Sequence, residues 1–177
     1  MPFIHPVNPE QANTEVAGTL AAVKGKLGMV PNLFATLAHA PTVLKGYLGL
    51  ADTLAGGRLT SAQREIIALA VGQANACQYC LSAHTLLGRG AGLNADAIAL
   101  ARTGSAATQL DAALAGLARK LTERRGKLDS SDLEAYRRAG VDDGLLLEVV
   151  AAVALNTLTN YANHVAGTEV DFPVVKV

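Results

Sequence analysis

Residues 76 to 85 read ACQYCLSAHT, and this stretch holds both cysteines of the 177-residue chain, Cys77 and Cys80, with one of its four histidines, His84. At this spacing two Cα atoms lie close enough for a disulfide, given some relaxation of geometry. In a reducing compartment a CxxC pair is more often catalytic or metal-binding than a structural crosslink. On one helix, at roughly 100° per residue, the three side chains fall within about 60° of one another and form one stripe. With Asn75 as cap, Cys77 is expected in the first turn, where unpaired N–H groups and the positive end of the helix dipole favour a thiolate. His84 leans back towards Cys80, as helical side chains do, and can take its proton directly or through a water.

The same residues admit other readings. A cysteine is often only a small buried hydrophobe, although a pair at a helix start with a histidine on the same stripe argues against inertness. Zinc would use Cys77, Cys80 and His84, yet structural sites want four ligands, and His5, His39 and His164 stand alone in the sequence. A thioredoxin-like motif needs a preceding strand, and none is visible. Glu65, just before IIALAVG, either complements a helix dipole or is a buried group that orients a histidine. Tyr79, between the cysteines, either lends its hydroxyl to the site or packs as a ring. His164, beside Asn163, reads as a polar helix end.

The elements that must position this stripe are helices. Asn8-Pro9-Glu10 suggests a helix start running to about Lys26, before Gly28. Pro31 begins a short helix, and Pro41 begins a longer one that breaks at Gly56-Gly57. Thr60-Ser61 caps AQREIIALAVGQA, whose apolar residues lie nearly all the way round, so it is expected to be buried and central. Asn75 is expected to cap the cysteine helix, which ends at GRGAG; further helices are expected near 94–103, 106–125, 130–139 and 143–165. Only the tail TEVDFPVVKV hints at strand-like alternation. The fold class is all-α, in a single domain over 1–177.

Composition removes several function classes. Fifteen basic residues balance fifteen acidic ones, with no basic patch to neutralise a run of phosphates, so neither nucleic acid nor an anionic membrane is an expected partner. The first ten residues lack the charged and apolar regions of a signal peptide. The most apolar stretch, Leu145 to Leu155, is far shorter than the ~20 residues of a spanning helix. The chain reads as soluble and cytoplasmic.

A weak internal two-fold repeat also shows. Offset by 83 positions, EIIALAVGQANACQYC from Glu65 falls on EVVAAVALNTLTNYAN from Glu148, which places Cys77 on Asn160 and Cys80 on Asn163. Any two alanine-rich buried helices can align this well. If the repeat is real, a redox-active unit at about 60–90 is paired with a cysteine-less copy at about 143–167.

Glu65, eleven residues, CQYC, three residues and His84 together resemble the core of the AhpD-like alkylhydroperoxidases, within the carboxymuconolactone decarboxylase family. MVPNLFATLAHAP, LTSAQREIIALAV and NTLTNYANHVAGTEVDFP resemble that family as well, from about residue 28 onward. The resemblance implies an all-helical fold with a repeated unit, assembly into trimers or hexamers, and a peroxidase acting on organic hydroperoxides or hydrogen peroxide. It implies that Cys80 attacks the peroxide, that Cys77 resolves the sulfenic acid, and that Glu65 and His84 relay protons. No cofactor and no metal is implied; the partners are a peroxide and a dithiol or protein reductant. The best-known members have a histidine before the second cysteine, where this chain has Tyr79, which leaves open whether Tyr79 joins the relay. The decarboxylase branch typically lacks the cysteine pair, so a lyase acting on a muconolactone is the alternative function, and a zinc-holding helical module a third.

Overall fold

The computed structural model describes residues 1–177, which form nine helices and no strand. They are α1 (Thr14–Leu27), α2 (Asn32–Leu37), α3 (Pro41–Ala55), α4 (Ser61–Ala74), α5 (Gln78–Gly90), α6 (Ala95–Arg102), α7 (Gln109–Glu123), α8 (Ser130–Arg138) and α9 (Asp143–Ala166). Most starts follow from side-chain caps: Thr60 with Gln63 closes a full capping box on α4, and Asn94, Thr108, Asp129 and Asp142 cap α6 to α9.

Two starts differ from the sequence reading. The first helix begins after Asn13, not at Asn8, because the Asn8 side chain accepts from the Glu10 N–H and closes a local turn instead. The cysteine helix is capped by Cys77 itself, whose sulfur accepts from the Cys80 N–H at 3.3 Å. Asn75 instead ends α4, and Ala76 turns the chain through a left-handed conformation (φ 52°). That conformation costs an alanine about 1 kcal/mol, and the turn sets Cys77 at the mouth of α5.

α4 occupies the centre, as its all-round apolar pattern implies: Ile66 to Gly72 are buried without interruption. It packs against α5, α6, α7 and α9. One cluster joins α4, α7 and α9 through residues such as Ile67, Leu114, Leu117 and Val149. A second joins α1, α2 and α3 to Cys77, Tyr79 and Cys80, so the cysteines sit inside a hydrophobic cluster. Ile66, Leu69, Leu81, Ile98 and Ala115 form a third beneath α6.

α9 buries Leu145, Val149 and Ala152 in the core near its start, but further on it is inverted relative to an ordinary surface helix. Its inward face carries Asn156, Thr159, Asn160 and Asn163, all buried, while Leu147, Val150, Leu158, Tyr161 and Val165 are exposed on the outside. At 24 residues it is longer than its apolar stretch suggests, and by length and composition alone it could cross a membrane. Its polar inner face is instead what meets the cysteines. In the repeat alignment Glu148 matches Glu65, but its carboxylate accepts from the Arg58 and Leu59 N–H groups and pins the α3–α4 loop.

The tail forms no strand. It runs extended across α2 and α5, with the Asp171 carboxylate accepting from the Asn32 N–H at 2.7 Å and Ser82 Oγ accepting from the Val175 N–H at 3.0 Å. The Val175 N–H and the Glu169 and Lys176 carbonyls meet the side chains of Ser82, Asn32 and Arg102 rather than a neighbouring strand.

Candidate active site

Cys77 and Cys80 are joined in a disulfide with a Cα separation of 5.3 Å. Both are buried, but only Cys80 faces space. It forms part of the wall of a pocket of about 160 Å³ that also includes Leu33, Phe34, Tyr47, His84 and Phe172. A cavity of about this size holds a group as large as a benzene ring. Past Leu27, Phe34 and Tyr47 a second groove of about 340 Å³ continues along α1 and α3, with the Lys26–Asp52 ion pair (3.3 Å) at its rim.

The sequence leaves two readings for Glu65, and its position selects one contact. It lies beyond the first turn of α4 and binds His84 Nδ1 at 2.8 Å, with both side chains mostly shielded (17% and 20% exposed). Gly88 on α5 lies against the Glu65 Cβ, so the two helices approach closely here. A carboxylate on Nδ1 fixes the neutral imidazole with its proton on that nitrogen and leaves Nε2 as the basic one. The Tyr47 hydroxyl, in the same pocket, is pushed up to about 12 by burial and by the negative charge of Glu65.

Tyr79 is placed differently from the other four candidates. Its ring lines the pocket and meets Phe172 edge-on at 5.5 Å, but its oxygen accepts from the Leu33 N–H at 3.2 Å. Burial above all, with the neighbouring Asp171 carboxylate, holds its hydroxyl well above the usual tyrosine range; the Leu33 N–H works in the opposite direction. The hydroxyl is thus engaged with the start of α2 and the tail.

Two residues that sequence reasoning did not place in the site touch its sulfur. Asn160 Nδ2 and Asn163 Nδ2 donate to Cys80 Sγ at 3.0 and 3.3 Å. Asn160 Oδ1 also accepts from Asn75 Nδ2 at 2.9 Å, tying α9 to the end of α4. Two signals were available, the family-like stretch NTLTNYANHVAGTEVDFP and the repeat alignment that set these two asparagines on the two cysteines, but neither gave a reason for them to meet the sulfur. His5, His39 and His164 lie elsewhere; His39 Nε2 bonds the His5 carbonyl, and no three histidine, cysteine or acidic side chains stand together as a metal site would require.

This arrangement has relatives. Residues 41–124 match the carboxymuconolactone decarboxylase family. Over 98 residues the chain is 34% identical to an alkyl hydroperoxide reductase of Mycobacterium tuberculosis, a stretch that covers 55% of this chain and 28% of that protein. Among solved structures it is similar to a peroxidase-related protein from Ralstonia eutropha JMP134, described as an alkylhydroperoxidase AhpD core. The TM-score is 0.84, with 26% identity over 95% of this chain and 92% of that one. The debrominase Bmp8 shares the fold at a TM-score of 0.80 and 17% identity, over 96% of this chain and 92% of that one. Residues 41–124, just under half of the chain, are thus similar to the carboxymuconolactone decarboxylase family, and the chain as a whole has the AhpD-like helical fold.

Proposed function

We propose that this protein is a dithiol peroxidase that reduces organic hydroperoxides or hydrogen peroxide through Cys77 and Cys80. The observation that carries the reading is the asymmetry of the pair: Cys80 opens on an apolar pocket beside His84, and Cys77 lies behind it. In the reduced protein His84 takes the Cys80 proton, and the thiolate attacks the peroxide. The O–O bond breaks, sulfur is oxidised to the sulfenic acid, and the leaving alkoxide or hydroxide takes the proton back from His84. The Cys77 thiol then condenses with the sulfenic acid, giving the disulfide and water. A dithiol or protein reductant restores both thiols and leaves as its own disulfide. Glu65 holds the imidazole in the tautomer this exchange needs, and Tyr79 positions the pocket wall.

The apolar lining and the adjoining groove favour an organic hydroperoxide with an apolar body. A lyase reading, open to the family by name, finds less support, since a carboxylate-bearing lactone would meet no lysine or arginine in this pocket. A cycle that ends in reduction by a dithiol suits the cytoplasm, where thiols are kept reduced. The exposed apolar stripe of α9 fits burial against another copy of the chain, in the trimer or hexamer that the family resemblance implies.

Replacing Cys80 with serine is expected to abolish peroxide reduction. Replacing Cys77 leaves one attack without internal resolution, so mass spectrometry after a peroxide pulse is expected to find Cys80 as sulfenic and then sulfinic acid. Oxygen on Cys77 in a Cys80→Ser protein, with a normal first turnover, would reverse the assignment.

Glu65→Gln and Tyr79→Phe are expected to separate relay from support. The first should leave folding intact and lower peroxide turnover roughly 10²-fold. The second strands the buried Leu33 N–H and should cost about 1–3 kcal/mol in denaturant unfolding, with turnover per folded molecule largely kept. Unchanged turnover in Glu65→Gln would remove Glu65 from the mechanism.

The assembly is tested by light scattering at micromolar concentration. A single stable oligomer is expected for the parent chain, and dissociation for Leu158→Glu; a monomeric parent would contradict the proposal.

A further inference from the structure

We infer that Asn160 and Asn163 are catalytic residues whose side-chain amides form an anion-binding cradle for the Cys80 thiolate. The inference rests on the proposed reading in which Cys80 is the attacking thiol. Two amide N–H groups converge on one sulfur, at 3.0 and 3.3 Å, from side chains that are 0% and 4% exposed. The sulfur of a disulfide is a weak acceptor, so both donors are poorly repaid for leaving water in the oxidised state. A thiolate is a strong acceptor, and bonds to a charged group are about twice as strong as neutral ones. The cradle therefore matches the reduced, ionised state of the cycle.

The rest of each amide sharpens the case. Asn163 Oδ1 is buried without any partner, so the sole polar contact of that side chain is the Cys80 sulfur. An amide kept for folding alone would have its oxygen satisfied. Asn160 Oδ1 is held by Asn75 Nδ2, which fixes that amide with its nitrogen towards the sulfur. The two sulfurs are thereby distinguished: Cys77 Sγ receives a backbone N–H of the helix start, and Cys80 Sγ receives the two amides. Helix position alone would favour Cys77 as the more acidic thiol, and the amides supply Cys80 with its own stabilisation.

The test uses the full chain with Cys77→Ser, so that Cys80 is the only thiol, and follows the rate of iodoacetamide alkylation against pH. Asn163→Leu keeps the side-chain size and removes the donor; Asn160→Asp keeps the acceptor for Asn75 and replaces the donor with a carboxylate oxygen. Each is expected to raise the alkylation midpoint by about one to two pH units. In the oxidised two-cysteine protein, Asn163→Leu is expected to leave the unfolding midpoint unchanged or higher. Asn75→Ala, which loosens the Asn160 amide but keeps both donors, should move the alkylation midpoint less than Asn160→Asp does; a shift as large as that of Asn160→Asp would reduce Asn160 to a support for the turn. If Asn160→Asp does not fold, Asn163→Leu decides alone, and an unmoved midpoint overturns the inference. Alkylation needs no peroxide. Shifted midpoints in a chain without peroxidase activity would uphold the cradle and sink the proposed function, while peroxide turnover with unmoved midpoints would do the reverse.

Discussion

One buried amide joins the three helices that make the site. Asn160, on α9, accepts from Asn75 at the end of α4 and donates to Cys80 in the first turn of α5. The α4–α5 turn needs such a tie, because Ala76 is held in a left-handed conformation that an alanine adopts at a cost. With the turn fixed, Cys77 caps α5, Cys80 faces the pocket, and His84 comes to lie one turn on, against Glu65. Moving α9 would loosen each of these positions together.

The same constraint accounts for the inverted polarity of α9. Leu145, Val149 and Ala152 at the start of α9 join the core, but the turns that supply Asn156, Thr159, Asn160 and Asn163 to the interior leave Leu158, Tyr161 and Val165 on the outer face. The polar groups are placed around an otherwise hydrophobic cluster of α1, α2, α3 and the cysteines. On the proposed reading this combination is useful chemically. An apolar wall draws an organic peroxide out of water, and a few fixed polar groups meet the charge that develops at sulfur and oxygen.

Much of this was legible in the sequence, where local signals decide. Thr60 and the apolar girth of α4 led to a helix that the structure contains, because capping and burial of a whole helix surface leave a pattern in consecutive residues. The family resemblance, not the spacing alone, paired Glu65 with His84, and the fold brings the two into contact. The start of α5 was misread because asparagine is the commoner cap and a cysteine sulfur a rare one; only the tertiary turn at Ala76 makes Cys77 the cap. Asn163, Asp171 and the hydroxyl of Tyr79 were illegible for a different reason. Their partners lie 83, 139 and 46 residues away, and no local periodicity encodes a contact at that distance.

A dithiol peroxidase must exchange electrons between its two sulfurs and a peroxide. The direct measurement is a titration of the fully reduced protein with an organic hydroperoxide, counting free thiols and alcohol formed while metal content is followed in the same sample. Two thiols are expected to disappear per chain for each alcohol released, with the helical fold retained and a dithiol restoring the thiols. Thiols that persist at a stoichiometry of one bound zinc per chain, or oxidation without formation of the alcohol, would contradict the proposed function.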